Sequence, residues 1–181
     1  MKRKIGIIYS SVDGQTLKIC EKLNAFFNER QIETELCSID NFKGNVSEFE
    51  ILIIGASIRY GKHHAKITEF VLNNKNNFKD IKTAFFSVNL VARKEDKNTP
   101  NTNPYLVKFL KETSWTPDFL DVFAGKLDYK SYSFIDKLMI KLIMKLTNGP
   151  TQSDYPIEFT EWGRVAAFGM KIRESYLKRP I

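Results

Sequence analysis

The sequence contains no apolar run of about eighteen residues, which excludes a helix that crosses a bilayer. It has only two cysteines, Cys20 and Cys37, and no Cys-x-x-Cys spacing. Its two histidines, His63 and His64, are neighbours. Adjacent side chains point apart, so no zinc-type spacing can be built and no metal site is expected. Both cysteines read as ordinary structural thiols. Neither a Gly-x-Gly-x-x-Gly nor a Walker spacing occurs, which argues against dinucleotides and nucleoside triphosphates. Acid is also scarce: 21 Asp and Glu stand against 28 Lys and Arg, for a net charge of +7. That surplus points to an anionic partner. The basic start, Met1 to Lys4, leads only into the short run Ile5–Tyr9, too short for a secretion-signal core, so a cytoplasmic location is expected.

What remains is a chain of 181 residues, 43% hydrophobic and 27% charged, enough to bury a core in one domain. Lys4–Tyr9, Glu50–Ile54 and Thr83–Val88 are short, nearly continuous apolar runs, the mark of strands buried on both faces. Ile32–Ile39 alternates polar and apolar residues, as an edge strand does, and Phe119–Gly125 reads as the fifth strand. Between them fall helical patterns over Thr16–Arg30, about Ala65–Asn77, Tyr105–Thr113 and Trp162–Leu177. This alternation predicts an α/β doubly wound, five-stranded parallel sheet in the order 2-1-3-4-5. Residues 126–152 break the alternation and read as a helical insertion after strand 5. No repeat, linker or low-complexity tract divides the chain, so residues 1–181 are expected to form a single domain.

Ligands of such sheets bind at the carboxyl ends of the strands. The first loop there, Ser10-Ser11-Val12-Asp13-Gly14-Gln15-Thr16, joins hydroxyls, a glycine and a helix N-terminus. It reads as an anion cradle, or more plainly as a polar turn with a Ser or Asp cap. The second, Gly55-Ala56-Ser57-Ile58-Arg59-Tyr60-Gly61-Lys62-His63-His64, offers close backbone approach, a flat ring and a fixed cation. Its two histidines read either as site residues or as members of a solvated loop. The third, Ser87-Val88-Asn89-Leu90-Val91-Ala92-Arg93-Lys94, leaves a buried strand apolar and ends in two cations, as the rim of a ring pocket would. A phosphate-type loop beside two ring-type loops suggests a mononucleotide with a large aromatic head, and flavin mononucleotide (FMN) fits best.

The first loop is similar to the flavodoxin phosphate loop at Ser11, Gly14 and Thr16 and departs from it at Asp13. Ser10-x-x-Asp13-Gly14-Gln15-Thr16, Gly55–Gly61, Ser87–Lys94 and Met139–Lys145 together resemble the menaquinone-dependent protoporphyrinogen IX dehydrogenases of bacterial haem synthesis, which are flavodoxin-like. The likeness runs over nearly the whole chain and fades after about Thr151. It implies removal of six electrons from protoporphyrinogen IX in three two-electron steps through FMN, with menaquinone as acceptor. It further implies that Ser10, Ser11, Gly14, Gln15 and Thr16 hold the phosphate, with Asp13 capping the helix. Ala56, Ser57, Ile58, Arg59, Tyr60 and Gly61, with Ser87, Val88, Asn89, Leu90 and Val91, would then flank the flavin ring. Arg59, Arg93 and Lys94 are expected to meet substrate propionates, and Tyr60 and His64 are candidates for proton transfer.

The insertion carries Phe134–Leu146. Lys137, Lys141 and Lys145 form one helical stripe, and Ile135, Leu138, Met139, Leu142, Ile143 and Leu146 occupy an arc of roughly 100° to 240° from it. That pattern suits a helix lying on an anionic membrane face through Phe134, Leu138, Leu142 and the three lysines, which would place the protein peripherally on the cytoplasmic side of the membrane. The plainer readings are a cover for the domain's own core or a contact with a second subunit in a homo-oligomer. An electron-carrying flavodoxin is the alternative function, although such carriers are typically acidic. A nucleic-acid binder is not expected, because outside the insertion stripe the cations are scattered rather than gathered along an aromatic-lined groove.

Overall fold

A computed structural model describes residues 4–178. The basic triplet Met1–Arg3, which entered the reading of location, lies outside the described residues. Five strands run parallel: β1 (Lys4–Ser10), β2 (Glu33–Ser38), β3 (Ile51–Arg59), β4 (Lys82–Asn89) and β5 (Phe119–Ala124). Their spatial order is β2-β1-β3-β4-β5, the order expected from the sequence. Because successive side chains alternate faces, Ile5, Ile7, Ile53 and Phe86 fill one core, against α1 (Gln15–Asn28) and α5 (Trp162–Lys178). Ile8, Leu52, Ile54 and Phe85 fill the other, against α2 (Ala65–Asn74) and α3 (Pro104–Thr113). Helices on both faces leave the loops after β1, β3, β4 and β5 gathered along one sheet edge.

Gly55 does not end the third strand, as the sequence had suggested. The strand runs on to Arg59, and the glycine leaves room for the ring of Phe86 on β4, whose Cε atoms would lie 2.9 Å from an added Cβ. Ser57–Arg59 is therefore rigid sheet rather than loop. Tyr60 and Gly61 then both take left-handed backbone angles (φ 50° and 77°), as a two-residue hairpin turn requires. The turn brings Lys62–His63 back antiparallel against Ile58 and Arg59.

The insertion is a helix, α4 (Phe134–Leu146), on a narrow neck. Lys126–Leu127 pairs antiparallel with Ile157–Glu158, so the excursion closes beyond the expected boundary at residue 152. Ser133 caps the helix N-terminus, accepting from the Asp136 N–H at 3.3 Å. At the other end, a Cβ on Gly149 would press on the Arg93 guanidinium and the Met144 sulfur, which pack closely over it.

Candidate functional site

The loops at the carboxyl edge enclose a cavity of about 280 Å³. Its floor comes from the β1–α1 loop (Ser11, Asp13, Gln15 and Thr16), and one wall from Ser57–Gly61 at the end of β3. Val88–Val91, leaving β4, form the other wall, and Tyr105 of α3 closes one end. The roof is α4, which contributes Asp136, Met139, Ile140 and Ile143, with Tyr132 just before it. The sequence reading did not foresee the roof residues, nor Tyr105, Gly125 and Lys126. The pattern Ser133-x-x-Asp136 was visible, but by itself it signals only a capped helix.

The β1–α1 loop is built for an anion. Gly14 is the N-cap of α1 at φ 80°, no side chain caps the helix, and nothing lies within 4 Å of where a Gly14 Cβ would be. The first N–H groups of the helix have no intrahelical acceptor and its dipole is positive there. Beside them the hydroxyls Ser11 Oγ and Thr16 Oγ1 are buried without a hydrogen-bond partner. Burying an unpaired hydroxyl costs about 1–3 kcal/mol, so two in one cradle indicate a missing acceptor-rich group. A phosphate satisfies all of these donors at once. The residues present therefore fit the phosphate end of FMN, and the apolar Ile58, Val88, Leu90 and Ile143 fit its ring.

Several residues have other duties than expected. Asp13 does not cap α1; it turns towards β3, where Arg59 Nη1 approaches Asp13 Oδ1 at 3.3 Å. Burial pushes its carboxyl above the usual range, against the pull of Arg59. The Gln15 side chain is a brace, donating from Nε2 to Thr160 Oγ1 at 2.9 Å and to Glu158 Oε1 at 3.2 Å. Ser10, Ala56 and Ser87 are buried and do not line the cavity, while Gly14 lies exposed at the N-cap of α1. Arg93 also lies outside the cavity, its guanidinium donating to Leu90 O at 2.8 Å, Thr147 O at 3.0 Å and Thr147 Oγ1 at 2.6 Å. It pins the end of α4 and is not free to meet a substrate, and Lys94 lies outside the cavity as well.

The histidines divide. His64 is exposed and caps α2 through Nδ1, which accepts from the Lys66 N–H at 3.3 Å, away from the cavity. His63 is half-buried rather than solvated: its ring packs edge-on against Phe85 and Phe109, and Nε2 lies 2.9 Å from Ser87 Oγ. Burial pushes its pKa down to about 3. Ser87 leads on to Asn89, which exchanges amide hydrogen bonds with Asn103 at 3.2 and 3.3 Å. This polar layer fixes the start of the Val88–Val91 wall.

At the other wall, Arg59 Nη2 lies 2.5 Å from Asp136 Oδ2 and the Tyr60 hydroxyl donates to Asp136 Oδ1 at 2.7 Å. Hydrogen bonds from Ser133 and Tyr60, and then the Arg59 charge, hold the Asp136 carboxyl below the usual range. Helix α4 is thus tied to β3 at its start and to the loop after β4 at its end.

A doubly wound parallel sheet with an anion cradle after its first strand and ring walls after its third and fourth defines a flavodoxin-type protein. Residues 6–154 match the flavodoxin domain family. The chain is 40% identical over 167 residues to protoporphyrinogen IX dehydrogenase (quinone) of Escherichia coli K12, covering 92% of each. It is 39% identical over 164 residues to the Leishmania major protein of the same name, covering 90% of this chain and 71% of that one. The chain belongs to the flavodoxin-domain family that includes these protoporphyrinogen IX dehydrogenases. An aligned length of 167 residues carries the likeness past Thr151, further than expected. Among solved structures, Fusobacterium nucleatum flavodoxin bound to FMN superposes with a TM-score of 0.52 at 13% identity, covering 96% of this chain and 98% of that one. Rubredoxin:oxygen oxidoreductase from Desulfovibrio gigas gives 0.55 at 11%, covering 98% and 38%. Both show the shared fold.

Proposed function

We propose that this protein is an FMN-dependent dehydrogenase that oxidises protoporphyrinogen IX to protoporphyrin IX and passes the electrons to a quinone, menaquinone in our reading. The observation that carries it is a cradle with orphaned hydroxyls and an apolar helical roof at one sheet edge, in a chain 40% identical to dehydrogenases of that name. Conversion of the porphyrinogen to the porphyrin removes six electrons and six protons, so each macrocycle reduces three quinones to quinols. Bound FMN supplies the two-electron redox chemistry.

The chain's own residues bind, orient and exclude water. Ser11, Thr16 and the first N–H groups of α1 hold the phosphate. Ile58, Tyr60, Val88 and Leu90 enclose the ring, while Met139, Ile140 and Ile143 keep water from it. Of the two candidates for proton transfer, Tyr60 alone lines the cavity, and its hydroxyl hydrogen is committed to Asp136.

The outer face of α4 is the membrane contact in this reading. Phe134, Ile135, Leu138, Leu142 and Leu146 are exposed there, with Lys141 and Lys145 beside them. No helix among the described residues is long and apolar enough to cross a membrane. A greasy porphyrinogen and a lipid-dissolved quinone would reach the cavity from that face.

The test adds protoporphyrinogen IX to FMN-loaded protein without oxygen, with and without a menaquinone analogue. Catalytic growth of porphyrin fluorescence that needs both FMN and quinone is expected. Folded, loaded protein that yields no porphyrin would refute the reading.

A further inference from the structure

Arg59 and Tyr60 hold a carboxylate between them, and that carboxylate belongs to the roof of the cavity. One oxygen of Asp136 faces Arg59 Nη2 at 2.5 Å and the other takes the Tyr60 hydroxyl at 2.7 Å. Two oxygens met by a guanidinium at the end of β3 and a phenol in the turn that follows is a geometry that recognises a carboxylate. Helix α4 brings the acid, whereas the sheet edge supplies both donors.

The cavity beneath α4 measures about 280 Å³, at the small end of the roughly 300–1,000 Å³ of a site for one ligand. A flavin ring and a tetrapyrrole do not both fit there with α4 in place. Entry of the macrocycle therefore lifts α4 and draws Asp136 away. Arg59 would then keep only Asp13, at 3.3 Å. The other cations first expected near substrate carboxylates do not compete for the role. Arg93 is committed to Leu90 and Thr147, and Lys94 lies outside the cavity.

We propose that Asp136 is an internal stand-in for a ligand carboxylate: Arg59 and Tyr60 form a propionate subsite that Asp136 fills while α4 is closed. The inference rests on the reading of the substrate as protoporphyrinogen IX, which carries two propionates. On entry, one propionate exchanges for Asp136, so release of α4 and capture of the substrate use the same two donors. A quinone has no carboxylate and gains nothing from the exchange. The subsite thus distinguishes the two substrates that share one cavity.

The experiment compares binding of protoporphyrin IX and of its dimethyl ester to FMN-loaded protein, followed by porphyrin fluorescence, in the native protein, Asp136→Asn, Arg59→Gln and Tyr60→Phe. Either macrocycle must displace Asp136, so Asp136→Asn should tighten diacid and ester alike, about tenfold, and keep the preference for the diacid. Arg59→Gln and Tyr60→Phe should weaken the diacid relative to the ester and so abolish the preference that Asp136→Asn keeps. Tyr60→Phe keeps the ring, so it serves if Asp136→Asn does not fold. If Asp136→Asn leaves both ligands unchanged, or Arg59→Gln and Tyr60→Phe keep the native preference for the diacid, the exchange is overturned. Turnover of protoporphyrinogen IX alongside either result leaves the proposed activity standing. Native protein that neither binds nor oxidises these compounds would overturn both.

Discussion

Acid should destabilise this protein through His63 before its carboxylates titrate. The ring centroid lies 5.5 Å from that of Phe85 and 4.7 Å from that of Phe109, and Nε2 is 2.9 Å from Ser87 Oγ. Asn89 Nδ2 donates to that hydroxyl at 3.3 Å. A neutral ring can share a hydrogen with Ser87 in either tautomer, whereas a second ring proton would have to be held beside two phenylalanines. With its pKa pushed down to about 3, the folded state refuses a proton that the unfolded chain accepts from about pH 6.5. The stability held by the neutral ring is complete above about pH 6.5. It falls by about 1.4 kcal/mol per unit below that, until the folded pKa is reached. Between pH 6.5 and 5 the loss is about 2 kcal/mol, a large share of the roughly 5–15 kcal/mol of a typical domain. His63→Gln keeps an acceptor for Ser87 and removes the titration. Urea unfolding from pH 7 to 5 should show the native protein losing about 2 kcal/mol more than the variant. Parallel pH profiles, agreeing within about 0.5 kcal/mol, would refute the argument that burial keeps the ring neutral.

Thr16→Val removes one orphaned hydroxyl, so it should leave the FMN-free protein as stable or more so while weakening FMN about 10- to 100-fold in a flavin fluorescence titration. Arg93→Ala should leave FMN content unchanged and loosen the end of α4, seen as roughly 30-fold faster amide hydrogen exchange around Met144–Gly149, about 2 kcal/mol for the lost hydrogen bonds. Changing Lys137, Lys141 and Lys145 together to Gln should reduce binding to anionic vesicles by roughly two orders of magnitude in a flotation assay, at about 1 kcal/mol per lysine. Vesicle binding that survives this change would place the lysines away from the lipid.

The sheet was readable because its strands are buried on both faces and so appear as unbroken apolar runs, with β2 alone alternating. The positions of the phosphate loop and the two wall loops followed from topology. Side-chain direction did not. Nothing local tells Arg93 to turn towards Thr147, or Asp13 to prefer Arg59 to its own helix; both choices depend on residues far along the chain. Gly55 looked like a strand end because the ring that needs its space belongs to Phe86, on another strand. For the insertion, periodicity showed an amphipathic helix but not its orientation. The structure turns Asp136, Ile140, Ile143 and Met144 inward and leaves Ile135, Leu138, Leu142 and Leu146 outside.

The neck formed by Lys126–Leu127 and Ile157–Glu158 means that the chain leaves and re-enters the α/β layers at one point. β5 has already ended at Ala124 and α5 begins only at Trp162, so neither takes its register from what lies between. The entropy of closing a loop grows only slowly with its length. Changes of length within residues 128–156 therefore leave the strand register untouched, and what they alter is confined to the walls that α4 meets through Asp136 and Thr147. Evolution can remodel the roof as a cassette while the cradle and the sheet stay as they are. A mononucleotide-binding sheet need not be redesigned to accept a new bulky partner; it needs only a different passage through the same doorway.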